Sequence, residues 1–154
     1  MKKTLAIVLV AVLALGLVAC GGTASSTVTS SVATSEFKDG TYTAEASEAN
    51  YGWTDTLTVT YKDGVVTEAK YDAVDADGAL KSEATAESYP MDPHPTVWIP
   101  EINANILKAG NAADIEAVAG ATNSSNNAKV LMAAVEEAAK AGNTETVKVE
   151  MPAE

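Results

Sequence analysis

The clearest pattern in the chain is a strict alternation. Leu57, Val59 and Tyr61 alternate with Thr56, Thr58 and Thr60. After Lys62-Asp63-Gly64, a second run sets Val65, Thr67, Ala69 and Tyr71 against Val66, Glu68 and Lys70. A period of two sustained over both runs predicts a β-hairpin over residues 54–71. A two-residue Asp63-Gly64 turn would pair Tyr61 with Val66 and Val59 with Glu68, which puts a charge on the apolar face. A three-residue loop with Gly64 in the left-handed region instead pairs Tyr61 with Val65, Val59 with Thr67 and Leu57 with Ala69, so that loop is expected. Residues 41–46 are rich in β-formers and come after a Phe37-Lys38-Asp39-Gly40 turn; they predict a further strand. Residues 144–150 alternate Thr146 and Lys148 with Val147 and Val149 and predict a last one.

Helical spacing appears in the second half. Pro100 suits a first turn, and Ile102, Ile106 and Leu107 form an apolar stripe that ends near Gly110. Ser124 and Ser125 are candidate N-caps for a second helix, in which Ala128, Leu131, Val135 and Ala138 recur, with Ala134 beside them, before Gly142. The expected fold class is therefore α+β: a small antiparallel sheet with two packed helices. Residues 79–95 have no period and include Pro90, Pro93 and Pro95, which predicts an irregular loop. Asp75, Asp77 and Gly78 hint at a calcium loop, but its first position would be Ala73 and its twelfth Ala84, so the stretch reads as an acidic turn.

The N-terminus changes the picture. Lys2 and Lys3 precede an apolar run over residues 5–19, too short for a span of about 20 residues and suited to a signal peptide. The run ends in Leu17-Val18-Ala19-Cys20, which resembles a bacterial lipobox and makes Cys20 the expected lipidated first residue of an extracytoplasmic protein. Acyl chains contribute about 0.8 kcal/mol per buried methylene, enough in pairs to anchor a protein to the cell membrane without a transmembrane helix. Residues 21–35 hold nine Ser or Thr and no charge. Such a stretch reads as a flexible tether with a reach of about 20 Å. The expected organisation is a signal peptide at 1–19, a lipidated Cys and tether at 20–36, and a folded domain at 37–152.

Charge and counts exclude several classes. The 154 residues carry a net charge of −11, and all ten basic residues are Lys. Removal of residues 1–19 leaves eight Lys against 21 Asp and Glu, or −13. A chain this acidic, without Arg, is not expected to bind nucleic acid through phosphates. A single Cys excludes an intramolecular disulfide, and a single His excludes a multi-histidine metal site, so no metal is expected.

Candidate chemistry lies between the two helices, in Glu116-Ala117-Val118-Ala119-Gly120-Ala121-Thr122-Asn123-Ser124-Ser125. Gly120 permits close backbone approach, Ala121 adds no bulk, and Thr122, Ser124 and Ser125 bring hydroxyls to a helix N-terminus. By themselves these residues make either an anion site or a helix start with no ligand. No base–orienter pair accompanies Thr122, so it is not read as a hydrolase nucleophile, and no catalytic residue is assigned.

The order of elements, with Lys-Asp-Gly at the opening and in the hairpin and Gly120-Ala121-Thr122 before the closing helix, resembles the FMN-binding domain family over residues 37–141. That family includes flavin-carrying subunits of the sodium-pumping NADH:quinone oxidoreductase and Rnf complexes, and small lipoproteins of extracellular electron transfer. Its diagnostic stretch is Asp-Ala-Val-Ser/Thr-Gly-Ala-Thr. Glu116 stands here for the Asp, and Ala119 for the Ser or Thr. The resemblance implies covalent FMN on Thr122, installed by a flavin transferase from FAD with Mg²⁺. It also implies a monomeric, membrane-anchored electron carrier with redox partners still to be identified. Tyr51, Trp53, Tyr89, Met91, His94 and Trp98 are candidate walls or polar contacts for the flavin ring. The alternative is a surface lipoprotein or ligand-binding module of the same fold without flavin.

Overall fold

The computed structural model describes residues 36–152. The expected signal peptide, Cys20 and the tether up to residue 35 lie outside the described residues. The elements run β1 (Gly40–Ala46), β2 (Thr54–Lys62), β3 (Val65–Val74), a 3-10 turn (Lys81–Glu83), α1 (Pro95–Ala109), α2 (Thr122–Ala141) and β4 (Val147–Val149). The sheet order is β3-β2-β1-β4. The first three strands are antiparallel, but β4 reaches the free edge of β1 from the end of α2 and pairs with it in parallel. The fold is α+β as expected, with a mixed sheet. Among the described residues no helix is long and apolar enough to cross a membrane.

One face of the sheet is buried and the other wet. Tyr42, Ala44, Leu57, Val59, Tyr61 and Tyr71 point into the core. On the opposite face, Thr41 and Thr60 share a hydrogen bond of 3.0 Å, as do Thr43 and Thr58. Helix α2 covers β1 and β2 with Ala128, Leu131, Met132, Val135 and Ala139, and α1 covers β3 with Trp98, Ile99, Ile102 and Ile106. Each large apolar side chain removed from water contributes about 1.5–3 kcal/mol. The backbone of edge strand β3 is also served by α1: Asn103 accepts from the Tyr71 amide at 2.6 Å and donates to the Tyr71 carbonyl at 3.2 Å.

Three expectations are corrected. The hairpin turn has two residues, Asp63 (φ 51°) and Gly64 (φ 75°), so Lys62 pairs with Val65 and Tyr61 with Val66. A bulge then leaves Thr67 unpaired and restores Val59 to Ala69 and Leu57 to Tyr71. The charge of Glu68 is kept off the apolar face by that extra residue and not by a longer loop. Helix α1 starts at Pro95, capped by His94, and encloses Pro100 on its exposed side, so the prolines assigned to a loop include the helix start. Leu107 is 43% exposed, and the buried stripe of α1 begins a turn earlier, at Trp98 and Ile99. Helix α2 starts at Thr122 with Ala121 as N-cap, ahead of Ser124 and Ser125.

The acidic turn braces the 3-10 turn beside it. Asp72, buried at the end of β3, accepts from the Ala73 and Ser82 amides and from the Ser82 hydroxyl. Asp75 accepts from the amides of Asp77 and Ala79. These bonds pin residues 81–83 against the sheet.

Candidate functional site

The loop before α2 is held from both sides. Gly120 has φ 78°, and a Cβ there would lie 2.5 Å from Pro93 Cδ, so only glycine fits this close approach. Ser125 is fully buried; its hydroxyl accepts from the Val118 amide at 2.9 Å and donates to the Ala121 carbonyl at 2.8 Å. It ties the loop to the first turn and does not face a ligand. Thr122 is left exposed as the first helical residue. No side chain caps this end, and the first amide with an intrahelical acceptor is that of Ser125. The amides of Thr122, Asn123 and Ser124 therefore form an uncapped donor cluster at the positive end of the helix dipole.

A cavity of about 390 Å³ opens on this cluster. Gly120, Ala121, Thr122, Asn123 and Ser124 form one side, and Tyr89, Met91 and Trp98 form apolar walls. Its size falls in the range of small-molecule pockets, about 300–1,000 Å³. Tyr51 stands at the rim, 89% exposed, in a tight turn closed by Asn50 and Trp53 through backbone bonds of 2.8 and 3.0 Å. The Trp98 indole N–H is buried without an acceptor among the described residues, an available donor on a wall. Trp53 does not line the cavity. It lies one layer back, edge-on to Tyr89 with ring centroids 6.1 Å apart. His94 does not line it either; its Nδ1 caps α1 through the Thr96 amide.

Three polar residues in the cavity wall went unread in the sequence. Asp55 is 6% exposed; its Oδ1 accepts from the Tyr71 hydroxyl at 2.6 Å and its Oδ2 from Asn127 Nδ2 at 2.8 Å. Burial, then the Asp55 charge and hydrogen bond, hold the Tyr71 phenol well above its ordinary pKa, with a contact to Ser124 acting the other way. Tyr89 is raised as well, first by burial and then by Asp55. Lys81 is buried with its ammonium among the rings of Trp53, Tyr89 and Trp98. A signal existed for Asp55, which extends the inward period of Leu57, Val59 and Tyr61 by one step. Asn127 lies one helical turn past Asn123. Lys81 sits in an aperiodic stretch with no local signal.

No protein-family model and no curated protein matches the chain. Among solved structures, the crystal structure of the CPE2226 protein from Clostridium perfringens matches with a TM-score of 0.70 and 31% identity, over 75% of this chain and 99% of that one. The chain belongs to the family of the CPE2226 protein. A solution NMR structure of a protein from Clostridium thermocellum is 18% identical, with a TM-score of 0.41 over 76% of this chain and 99% of that one, a likeness too slight to build on. The likeness to the CPE2226 protein extends over almost all of that chain.

Proposed function

We propose that the chain is a membrane-anchored extracytoplasmic flavoprotein that carries FMN covalently on Thr122 and serves as an electron carrier. The supporting observation is that Thr122 opens a helix with uncapped amides and lines an aromatic-walled cavity. The residues suit the group. An ester at Thr122 Oγ1 leaves the phosphate one negative charge, which the amides of residues 122–124 can hold in a chain without Arg. Tyr89, Met91 and Trp98 exclude water from an apolar ring, and the Trp98 N–H offers it a donor. Bound FMN supplies the electron chemistry; the chain supplies binding, orientation and electrostatics. Cys20 anchors the protein by lipid, a flavin transferase loads it, and its redox partners act outside the membrane.

The test is to co-express the full chain with an active flavin transferase, then measure mass and visible absorbance after denaturation. Wild type should carry the flavin mass and its colour. Thr122→Ala should lose both, Thr122→Ser should keep some of each, and Ala119→Ser should raise occupancy if that departure limits loading. The fold should survive Thr122→Ala, since a polar residue at a helix start contributes only about 1 kcal/mol. A wild-type chain without flavin would favour the surface lipoprotein that binds none.

A further inference from the structure

Asn127, in the second turn of α2, lines the cavity and is 9% exposed. Its side chain can face only one way. A carboxylate accepts hydrogen bonds and does not donate, so the amide turns Nδ2 to Asp55 Oδ2, at 2.8 Å. Tyr71 donates to the other oxygen of Asp55 at 2.6 Å, which fixes the carboxylate in turn. The amide oxygen of Asn127 is thereby left over. It accepts from no donor among the described residues, although buried polar atoms are nearly always paired. Trp98 supplies the opposite kind of group. Its indole N–H is buried in the wall of the same cavity and has no acceptor among the described residues. One cavity thus holds an unused acceptor and an unused donor, each on a helix packed against the sheet. Both are costly to leave unpaired, and a ligand that pairs them recovers that cost.

We propose that Asn127 Oδ1 and the Trp98 indole N–H select the ring that enters the cavity. They take a planar heterocycle with an N–H beside a carbonyl: Asn127 accepts from the N–H, and Trp98 donates to the carbonyl. The proposal rests on the flavin reading above. It assigns to these two residues the pyrimidine edge of the isoalloxazine, where N3–H lies between two carbonyls. A ring with carbonyls alone, such as a quinone, satisfies Trp98 and leaves Asn127 unpaired. A site that pairs a ring N–H rejects a ring without it more strongly than a plain apolar pocket does. Recognition of the ring is in this way separate from attachment at Thr122.

The experiment uses the full chain made without the transferase, and free lumiflavin, which carries the ring but no phosphate. Binding is read from the quenching of flavin fluorescence. A methyl group in place of the N3 proton, as in 3-methyllumiflavin, should weaken binding about tenfold, the cost of leaving one buried group unpaired. In Asn127→Leu, lumiflavin should weaken by a similar factor and the two rings should bind alike. In Trp98→Phe, both rings should weaken together and the methyl penalty should persist. The chain has two Trp, so the Trp98 indole N–H is one of two such signals in a proton–nitrogen spectrum. It should move downfield when lumiflavin binds. That spectrum and the two-ring comparison need only the wild type, so they decide even where a variant fails to fold. Equal affinity for the two rings, an unmoved Trp98 signal, or no lumiflavin binding by a wild type that takes covalent flavin overturns this proposal alone. Lumiflavin bound with the methyl penalty by a wild type that takes no covalent flavin supports it and overturns attachment at Thr122. A wild type that neither binds lumiflavin nor takes covalent flavin overturns it together with the flavin reading.

Discussion

The buried face of β2 has two ends that behave differently. Leu57, Val59 and Tyr61 lie under α2, in a core of apolar side chains. Asp55, two residues before Leu57 on the same face, meets Tyr71, Asn127 and the cavity at the start of α2. Both ends belong to one strand and face the same side, and their side chains differ. At the closed end, stability comes from apolar area removed from water. At the open end, a buried carboxylate is tolerated because two donors satisfy it, and the polar surface it brings is available to a ligand. Fold and site are thus carried by neighbouring positions of one strand, and each can be perturbed with limited effect on the other.

The strongest test of that separation is at the closed end. Leu131→Ala should cost about 2–5 kcal/mol, because Leu131 is fully buried and the cavity left behind can collapse only in part. Thermal or urea unfolding measures it. The remaining folded fraction should still accept flavin at Thr122. A Leu131→Ala variant of unchanged stability would mean that α2 does not seal the sheet.

At the open end the expected effect is smaller and depends on pH. Tyr71→Phe strips the Asp55 carboxylate of one donor and should cost about 1.5–3 kcal/mol, as for other hydrogen bonds to a charged group. The wild-type phenol is raised above its unfolded pKa by burial and by Asp55, so the folded state keeps its proton longer than the unfolded chain. Stability from this group is complete below about pH 10 and falls as pH rises beyond it. Tyr61 and Tyr89, both raised mainly by burial, act in the same sense. Tyr71→Phe should therefore flatten the alkaline loss of stability without abolishing it. An unchanged alkaline slope, measured by urea unfolding between pH 9 and pH 11, would show that the Tyr71 phenol makes no contribution there.

The same contrast explains what could be read in the sequence. The closed end is periodic: the alternation at 56–61 and the spacing of Ala128, Leu131, Val135 and Ala138 identify strand, helix and core together. The bulge at Thr67 was not legible, since one unpaired residue shifts the register while the surrounding composition still reads as strand. Nor was the start of α1, where Pro95 rather than Pro100 is the first-turn proline and His94, an uncommon cap, precedes it. Gly120, Ala121, Thr122 and Ser124 were legible because a helix start has local residue requirements. Ser125 was legible as a candidate N-cap and site hydroxyl, but its actual tie to Val118, seven residues away, was not. Lys81 was not legible because its cage is assembled from Trp53, Tyr89 and Trp98, brought together only by the fold.

The smallest expected effect lies outside both ends. Glu116 pairs with Lys108 at 2.8 Å, with both side chains largely exposed. The pair links α1 to the loop that leads to Thr122, and Asn105 adds a second link by donating to the Glu116 carbonyl at 3.1 Å. The hydrogen bond from Lys108, and then its charge, lower the Glu116 pKa below its ordinary value of 4.5. A depressed carboxylate stabilises the folded state above its unfolded pKa, and that contribution is lost as pH falls through the folded value. Glu116→Gln should thus leave Tm almost unchanged at pH 7, since exposed pairs are well screened. It should also remove a slight dependence of Tm on pH below 4.5. Under the proposed flavin function, occupancy separates the remaining roles: Glu116→Asp should raise it if a transferase reads the carboxylate position, and should leave it alone if the loop geometry set by Gly120 and Ser125 is what matters. A fall in Tm at pH 7 as large as that of Leu131→Ala would show that this loop belongs to the closed core after all, and that fold and site cannot be perturbed separately.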